Sequence, residues 1–156
     1  MIMQSPERPA IAIRGTTYTG AWGGFLRAHA TLVRKLDTEL REAHGLPLSS
    51  YEVLLHLSWA PGHRMGMGEL AESMLLTLCG VSRPISRLEG EGLVQREPCP
   101  EDRQGAYLIL TEAGLDRLGE AHPTHLAGVH TLFLEHFSEE ELKTMAQYWR
   151  RVLSGA

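Results

Sequence analysis

From Trp22 the apolar residues recur at steps of three and four: Trp22, Phe25, Leu26, His29, Leu32, Val33, Leu36 and Leu40. That period lays one apolar stripe along a long helix, which Gly45 and Pro47 close. Ser49-Ser50-Tyr51-Glu52 then has the spacing of a capping box and predicts a helix through Val53, Leu54, Leu57 and Ser58, stopped at Pro61-Gly62. Two shorter helical patterns follow, Glu69–Met74 and Thr77–Glu91, with Thr77 as the cap of the second and Gly92 as its stop. Leu93–Arg96 and Tyr107–Leu110 read as strands around a turn containing Pro98, Pro100 and Gly105. Thr111 predicts the start of another long helix, with Leu115, Leu118, Leu126, Val129, Leu132 and Phe133 on one side and an expected kink at Pro123. A second capping box, Ser138–Glu141, opens a terminal helix carrying Leu142, Met145, Trp149, Val152 and Leu153.

The expected fold class is therefore mainly α with a small β-hairpin wing: a winged helix-turn-helix joined to a helical dimerisation region. Residues 1–19, with Pro6, Pro9 and Gly15 and no helical period, read as a tail or arm. Residues 20–48 and 112–156 form the helical region, and residues 49–111 the winged domain. Two short helices followed at once by a hairpin place the second helix in a DNA major groove and the hairpin loop against the neighbouring backbone. Leu70, Ala71, Met74, Val81, Ile85 and Leu88 are expected to pack the pair together. Thr77, Leu78, Ser82, Arg83, Ser86 and Arg87 are then expected to face DNA, with hydroxyls suited to phosphate and arginine able to fork onto guanine. Asp102, Arg103 and Gln104 would form the wing tip.

Gly68-Glu69-Leu70-Ala71-Glu72, Gly80-Val81-Ser82-Arg83, Arg87 to Val94, Pro100-Glu101-Asp102-Arg103 and Leu110-Thr111-Glu112-Ala113-Gly114 occur in this order. In that concatenation the chain resembles the MarR family of bacterial regulators, from about Trp22 to Leu153. The resemblance implies a homodimer whose terminal helices interlock and which presents two recognition helices and two wings to a palindromic operator. It also implies a repressor released by a small aromatic or phenolic effector. The chain departs from the family at Leu78, where arginine is frequent, at Cys79, at Pro84 inside the recognition helix, and at Gln104, where arginine commonly enters the minor groove. Pro84 is expected to bend its helix and to bias Arg83 away from helical angles.

Charge and composition sharpen this only in part. The apolar and charged fractions, 43% and 22%, are those of an ordinary globular protein. No run approaches a membrane span and no secretory leader is visible, so a cytoplasmic protein is expected. The net charge of −4 leaves DNA binding to a local cluster of arginines. Between Gly68 and Glu112 acids outnumber bases two to one, which keeps a second reading open: a winged-helix module turned to protein–protein contact.

Trp22, His29, Tyr51 and His56 are the candidates for an effector cleft, His29 by pairing with a ligand carboxylate; plain packing is the alternative for His29, Trp22 and Tyr51. His122, His125 and His130 share a helix and raise a metal-responsive alternative, against which stand Pro123 and the lack of an HExxH pattern. Cys79, near a helix start, raises a thiol-responsive one. His44 and His136 read as solvent-facing helix ends. No cofactor, resident metal or catalytic constellation is expected: there is no Gly-rich phosphate loop and no nucleophile elbow.

Overall fold

The computed structural model describes residues 16–74, 78–99 and 105–155. The first apolar stripe forms α1, Thr16–His44, which starts ahead of the expected boundary and ends on Gly45 in the left-handed region, φ 63°. That conformation is natural for glycine and lets its N–H return to the Arg41 carbonyl, 2.8 Å away. Leu46 and Leu48 then turn inward and are buried. The second helix, α2, spans Leu48–Trp59.

The capping box expected at Ser49–Glu52 does not form. Pro47 occupies the cap position without a side-chain bond, and Ser50 is buried with its Oγ unpartnered among the described residues. A residue from the preceding helix does the work instead. Asp37 Oδ1 accepts the Leu48 N–H at 2.9 Å, while Oδ2 accepts from Arg41 Nε at 2.6 Å. Burial raises the Asp37 pKa, but the bonds from Arg41 and Leu48 and the Arg41 charge outweigh it and hold the carboxyl below its ordinary value.

After a 3-10 turn at Pro61–His63, a three-residue strand β1, Arg64–Gly66, leads into α3, Met67–Ser73, and α4, Leu78–Gly90. The hairpin consists of β2, Val94–Pro98, and β3, Ala106–Leu110, slightly longer and shifted relative to the expected strands. The antiparallel sheet has the order β1-β3-β2, with Met65 opposite Leu108 and Arg96 opposite Leu108 on the other side. Three residues are too few to show a period of two, so β1 was not expected; it forms because β3 offers a second edge whose N–H and C=O groups need partners.

Leu70, Ala71, Met74, Val81, Ile85 and Leu88 are all buried, as expected, and share one core with Val53, Leu54 and Leu57 of α2 and Val94, Leu108 and Leu110 of the sheet. Each fully buried aliphatic side chain here contributes about 1.5–3 kcal/mol. Pro84 is buried in the same wall, and α4 runs unbroken across it. The missing N–H and the bias against helical Arg83 therefore do not end the helix, since Val81 and Ile85 beside it, both at 0% exposure, anchor its inner face.

The fifth helix, α5, spans Glu112–Leu132 and continues through Pro123. Its expected cap is present: Thr111 Oγ1 accepts the Gly114 N–H at 3.0 Å and donates to the Gly92 carbonyl at 2.8 Å. The Ser138 capping box is also present, opening α6, Glu139–Ser154. Gly128 of α5 meets α1 so closely that a Cβ there would lie 2.3 Å from Glu39 Oε2 and 2.8 Å from Leu36 Cδ2. No residue of α6 is buried, and Trp22, Phe25, Leu26, Val33, Tyr148, Trp149, Val152 and Leu153 of α1 and α6 remain exposed. Among the described residues no helix is long and apolar enough to cross a membrane.

Candidate nucleic-acid interface and adjoining cavity

The two faces of α4 follow from its sequence. Val81, Pro84, Ile85 and Leu88 point into the core, which leaves Ser82, Arg83, Ser86 and Arg87 exposed at i, i+1, i+4 and i+5 along one outward stripe. Arg83 makes no ion pair among the described residues. Arg87 is committed: Nε donates to Glu91 Oε1 and Nη2 to the Gly45 carbonyl, both at 2.9 Å, which fastens α4 to the end of α1. Leu78 opens α4. Thr77 and the wing residues Asp102, Arg103 and Gln104 lie outside the described residues.

Several of the acids that count against phosphate are spent on neighbours. Arg96 of β2 donates to both oxygens of Glu89, at 3.1 and 2.9 Å, tying the wing to α4. Arg64 lies 3.8 Å from Glu97 and covers the Tyr107 ring at 3.7 Å. The pairs cancel charge locally while their side chains stay at the surface, leaving Arg83 as the guanidinium of the α4 stripe without an ion pair among the described residues.

The four cleft candidates fall into two places. Trp22 and His29 are exposed on α1, where Trp22 and His29 flank Phe25 at 5.9 and 6.2 Å and Phe25 meets Trp149 of α6 at 5.2 Å. Tyr51 and His56 sit on α2. Tyr51 is fully buried, its hydroxyl 2.7 Å from His122 Nδ1 of α5, and His56 is half-buried with its ring edge-on to Trp59 at 5.3 Å.

Between α2 and α5 lies a cavity of about 350 Å³ lined by Leu55, Ser58, Trp59, Leu115, Leu118, Gly119 and His122. None of the four candidates lines it, although Tyr51 bonds to one wall residue and His56 packs on another. Its walls were legible in principle: Leu55, Ser58 and Trp59 share one face of α2, and Leu115, Leu118, Gly119 and His122 one face of α5.

The histidines are spread over several jobs. His44 is half-buried rather than solvent-facing, because its Nε2 meets Thr124 Oγ1 at 2.8 Å. His130 turns toward Glu135, and His136 is exposed. Among the described residues no group of three or more histidine, cysteine or acidic side chains is placed to hold a metal ion. Cys99 is a half-buried free thiol.

His125 packs its ring 4.5 Å from that of Tyr51, with Nδ1 buried and without a hydrogen-bond partner among the described residues. Burial and then the His122 charge lower its pKa below 6.5, while burial and the Glu52 charge push the Tyr51 phenol up to about 12. A histidine with a depressed folded pKa supplies stability that is complete above its unfolded value and lost as pH falls through the folded one. Thermal stability is therefore expected to fall as pH drops from 6.5 toward 5, and His125→Leu to flatten that slope. Melting curves across this range check it, and an unchanged slope in the variant refutes it.

A family model described as the MarR family matches residues 44–105, from the end of α1 to the end of the wing loop. The chain is 32% identical over 119 residues to an HTH-type transcriptional regulator of Bacillus cereus, covering 76% of this chain and 77% of the relative. Two crystal structures from Streptomyces coelicolor are similar over 91% of this chain. One is Sco3205, a MarR family transcriptional regulator in complex with DNA, with TM-score 0.84 and 30% identity over 89% of that chain. The other is AbsC, also a MarR family transcriptional regulator, with TM-score 0.83 and 31% identity over 95% of its length. With the helix order, the wing and the sequence pattern all in agreement, this chain belongs to the MarR family of transcriptional regulators.

Proposed function

We propose that the chain is a dimeric, DNA-binding repressor that occupies a palindromic operator and is released by a small aromatic or phenolic effector. The observation that carries the DNA reading is the α4 stripe, Ser82, Arg83, Ser86 and Arg87, exposed on a helix whose opposite face is fully packed. Sco3205, with which the chain shares its fold and 30% identity, is seen in complex with DNA. In this reading Ser82 and Ser86 meet phosphates, Arg83 reaches a base edge, and Thr77, Leu78, Asp102, Arg103 and Gln104 complete the contact from the start of the helix and the wing. Arg87, held by Gly45 and Glu91, orients the helix and meets the backbone of the DNA.

The dimer reading rests on the apolar residues of α1 and α6 that one chain leaves bare. Trp22 is 56% exposed, Val152 61% and Leu153 70%, a density of apolar surface that a second copy of the same helices would cover. The effector reading rests on the α2–α5 cavity, which lies where the helical region joins the winged domain, so a ligand there would bias the spacing of the recognition helices. Such a regulator works in the cytoplasm, beside its DNA.

A mobility-shift titration against a palindromic duplex from the chain's own promoter region tests the reading. Binding is expected to weaken steeply between 50 and about 200 mM salt, because arginine contacts release counterions from the DNA. No retardation at low salt would overturn the regulator reading in favour of a protein–protein module, the use to which the paired arginines Arg87 and Arg96 would then be put.

A further inference from the structure

We infer that Arg117 of α5 is a positioning residue for DNA binding: together with Arg87 of α4 it clasps the last carbonyls of α1, fixes the recognition helix against the dimerisation helices, and so restricts the dimer to operators of one half-site spacing. This rests on the dimeric, DNA-binding reading above.

The clasp begins with how α1 stops. Gly45, at φ 63°, sends its N–H back to the Arg41 carbonyl at 2.8 Å, and the Leu46 N–H reaches the Leu40 carbonyl at 3.4 Å. Those two bonds turn the chain sharply and leave the His44 and Gly45 carbonyls outside the helical ladder, at the negative end of a 29-residue helix. Each takes a guanidinium from a different element. Arg117 Nη2 of α5 donates to the His44 carbonyl, and Arg87 Nη2 of α4 donates to the Gly45 carbonyl at 2.9 Å. The two sites adjoin, since a Cβ on Gly45 would lie 4.0 Å from Arg117 Nη2.

Both arginines are aimed by an acid on their own helix. Arg117 Nη1 lies 3.7 Å from Glu120, and Arg87 Nε donates to Glu91 Oε1 at 2.9 Å, spacings of three and four residues that put each pair on one face. Further along α5, Thr124 Oγ1 meets His44 Nε2 at 2.8 Å and links the same end of α1 a second time. The recognition helix itself packs on α2, α3 and β2. Packing inside the winged domain sets which face of α4 points outward. The bond from Arg87 to Gly45 sets the swing of its C-terminal end, and Arg117 holds the turn to which Arg87 is tied. Arg117 therefore acts through α1 and Arg87 rather than by touching DNA.

In a dimer joined through α1 and α6, two such clasps fix the separation of two recognition helices. Half-sites one turn of DNA apart, about 34–36 Å, have to match it. One base pair more or less moves a half-site by about 3.4 Å and turns it by about 35° around the axis, beyond what a held helix can follow.

Fluorescence anisotropy on the full-length chain tests this with three duplexes: the palindromic promoter duplex, and the same sequence with one base pair inserted or removed between its half-sites. Arg117→Met keeps the stem of the side chain and removes the guanidinium. It is expected to weaken binding to the parent duplex about fivefold, to cut the preference for parent over altered spacing by about threefold or more, and to leave the salt slope unchanged. Arg117→Lys, which still brings a donor to the His44 carbonyl, should recover most of both losses. Val53→Ala, a core truncation in α2 away from the clasp, should lower the melting temperature and leave the spacing preference as it is. Circular dichroism checks folding, and Arg117→Gln takes the place of Arg117→Met if the latter does not fold.

A spacing preference unchanged in Arg117→Met overturns the inference and leaves Arg117 a purely structural group. A salt slope reduced by about one also overturns it and makes Arg117 a phosphate contact. Either result leaves the DNA-binding reading standing. Wild-type protein that binds none of the three duplexes, or all three equally, overturns the dimeric operator reading and takes the inference with it.

Discussion

Gly114→Ala is expected to lower the thermal midpoint by about 10 °C, a destabilisation of about 3 kcal/mol in a chain of this size. A Cβ at this position would lie 2.1 Å from the Leu93 carbonyl oxygen and 2.7 Å from Leu110 Cδ1. The first neighbour is backbone and cannot swing aside. The Leu93 carbonyl also accepts the Thr111 N–H at 3.1 Å, and Thr111 Oγ1 holds both the Gly114 N–H and the Gly92 carbonyl. Making room for one methyl group therefore means breaking the cap of α5 or moving β2, the strand that carries the wing. Gly119→Ala is the control. Nothing lies within 4 Å of its added Cβ, and alanine in place of glycine inside an exposed helix gains up to about 1 kcal/mol. Circular-dichroism melts of the two variants beside the parent decide the matter; a Gly114→Ala midpoint within 3 °C of the parent would sink the idea that this contact is rigid.

Arg83→Ala is expected to weaken operator binding by about ten- to a hundredfold, the range of one good arginine–base contact, with little change in melting temperature. Arg83 is exposed and makes no ion pair among the described residues, so its removal leaves no internal group unmatched. Arg87→Ala should behave differently. That guanidinium holds the Gly45 carbonyl and Glu91, so its loss is expected to reduce stability and DNA binding together. Fluorescence anisotropy with a labelled operator, repeated across salt concentrations, separates two roles for Arg83. A base contact lowers discrimination between operator and scrambled duplex and leaves the salt slope unchanged. A phosphate contact would weaken both duplexes alike and reduce the slope by about one, and would correct the base assignment. Affinity within twofold of the parent would remove Arg83 from the interface.

Much of this architecture is legible residue by residue, because the forces involved are local. The stripe from Trp22 to Leu40, the inward set Leu70 to Leu88 and the outward set Ser82 to Arg87 follow from helical period alone. Thr111 and Ser138 announce their helices because each cap closes within three residues of itself. The same logic misplaced the start of α2. Ser49–Glu52 has the right spacing, but Asp37, eleven residues before Leu48, is delivered to the helix end by α1 and supplants the local cap. Pro84 is expected on local grounds to bend its helix; α4 continues across it as one helix, since core packing of Val81 and Ile85 offsets one missing backbone bond.

The candidate site divides along the same line. Sequence alone determined which face of α4 is available to DNA, since a residue's side of a helix is set by its spacing from the core positions. It also determined that α1 and α6 carry more apolar surface than one chain covers. Tertiary structure decided the rest. Arg87 meets Gly45 across 42 residues and Tyr51 meets His122 across 71, so neither pairing has a local signature. Strand β1 exists because β3 has an edge to fill, and the cavity exists because α2 and α5 stand at a distance that only packing fixes. Local period and caps are written within a turn or two of helix; a buried phenol–imidazole pair, a cavity or a committed arginine depends on which distant residue the fold brings to it.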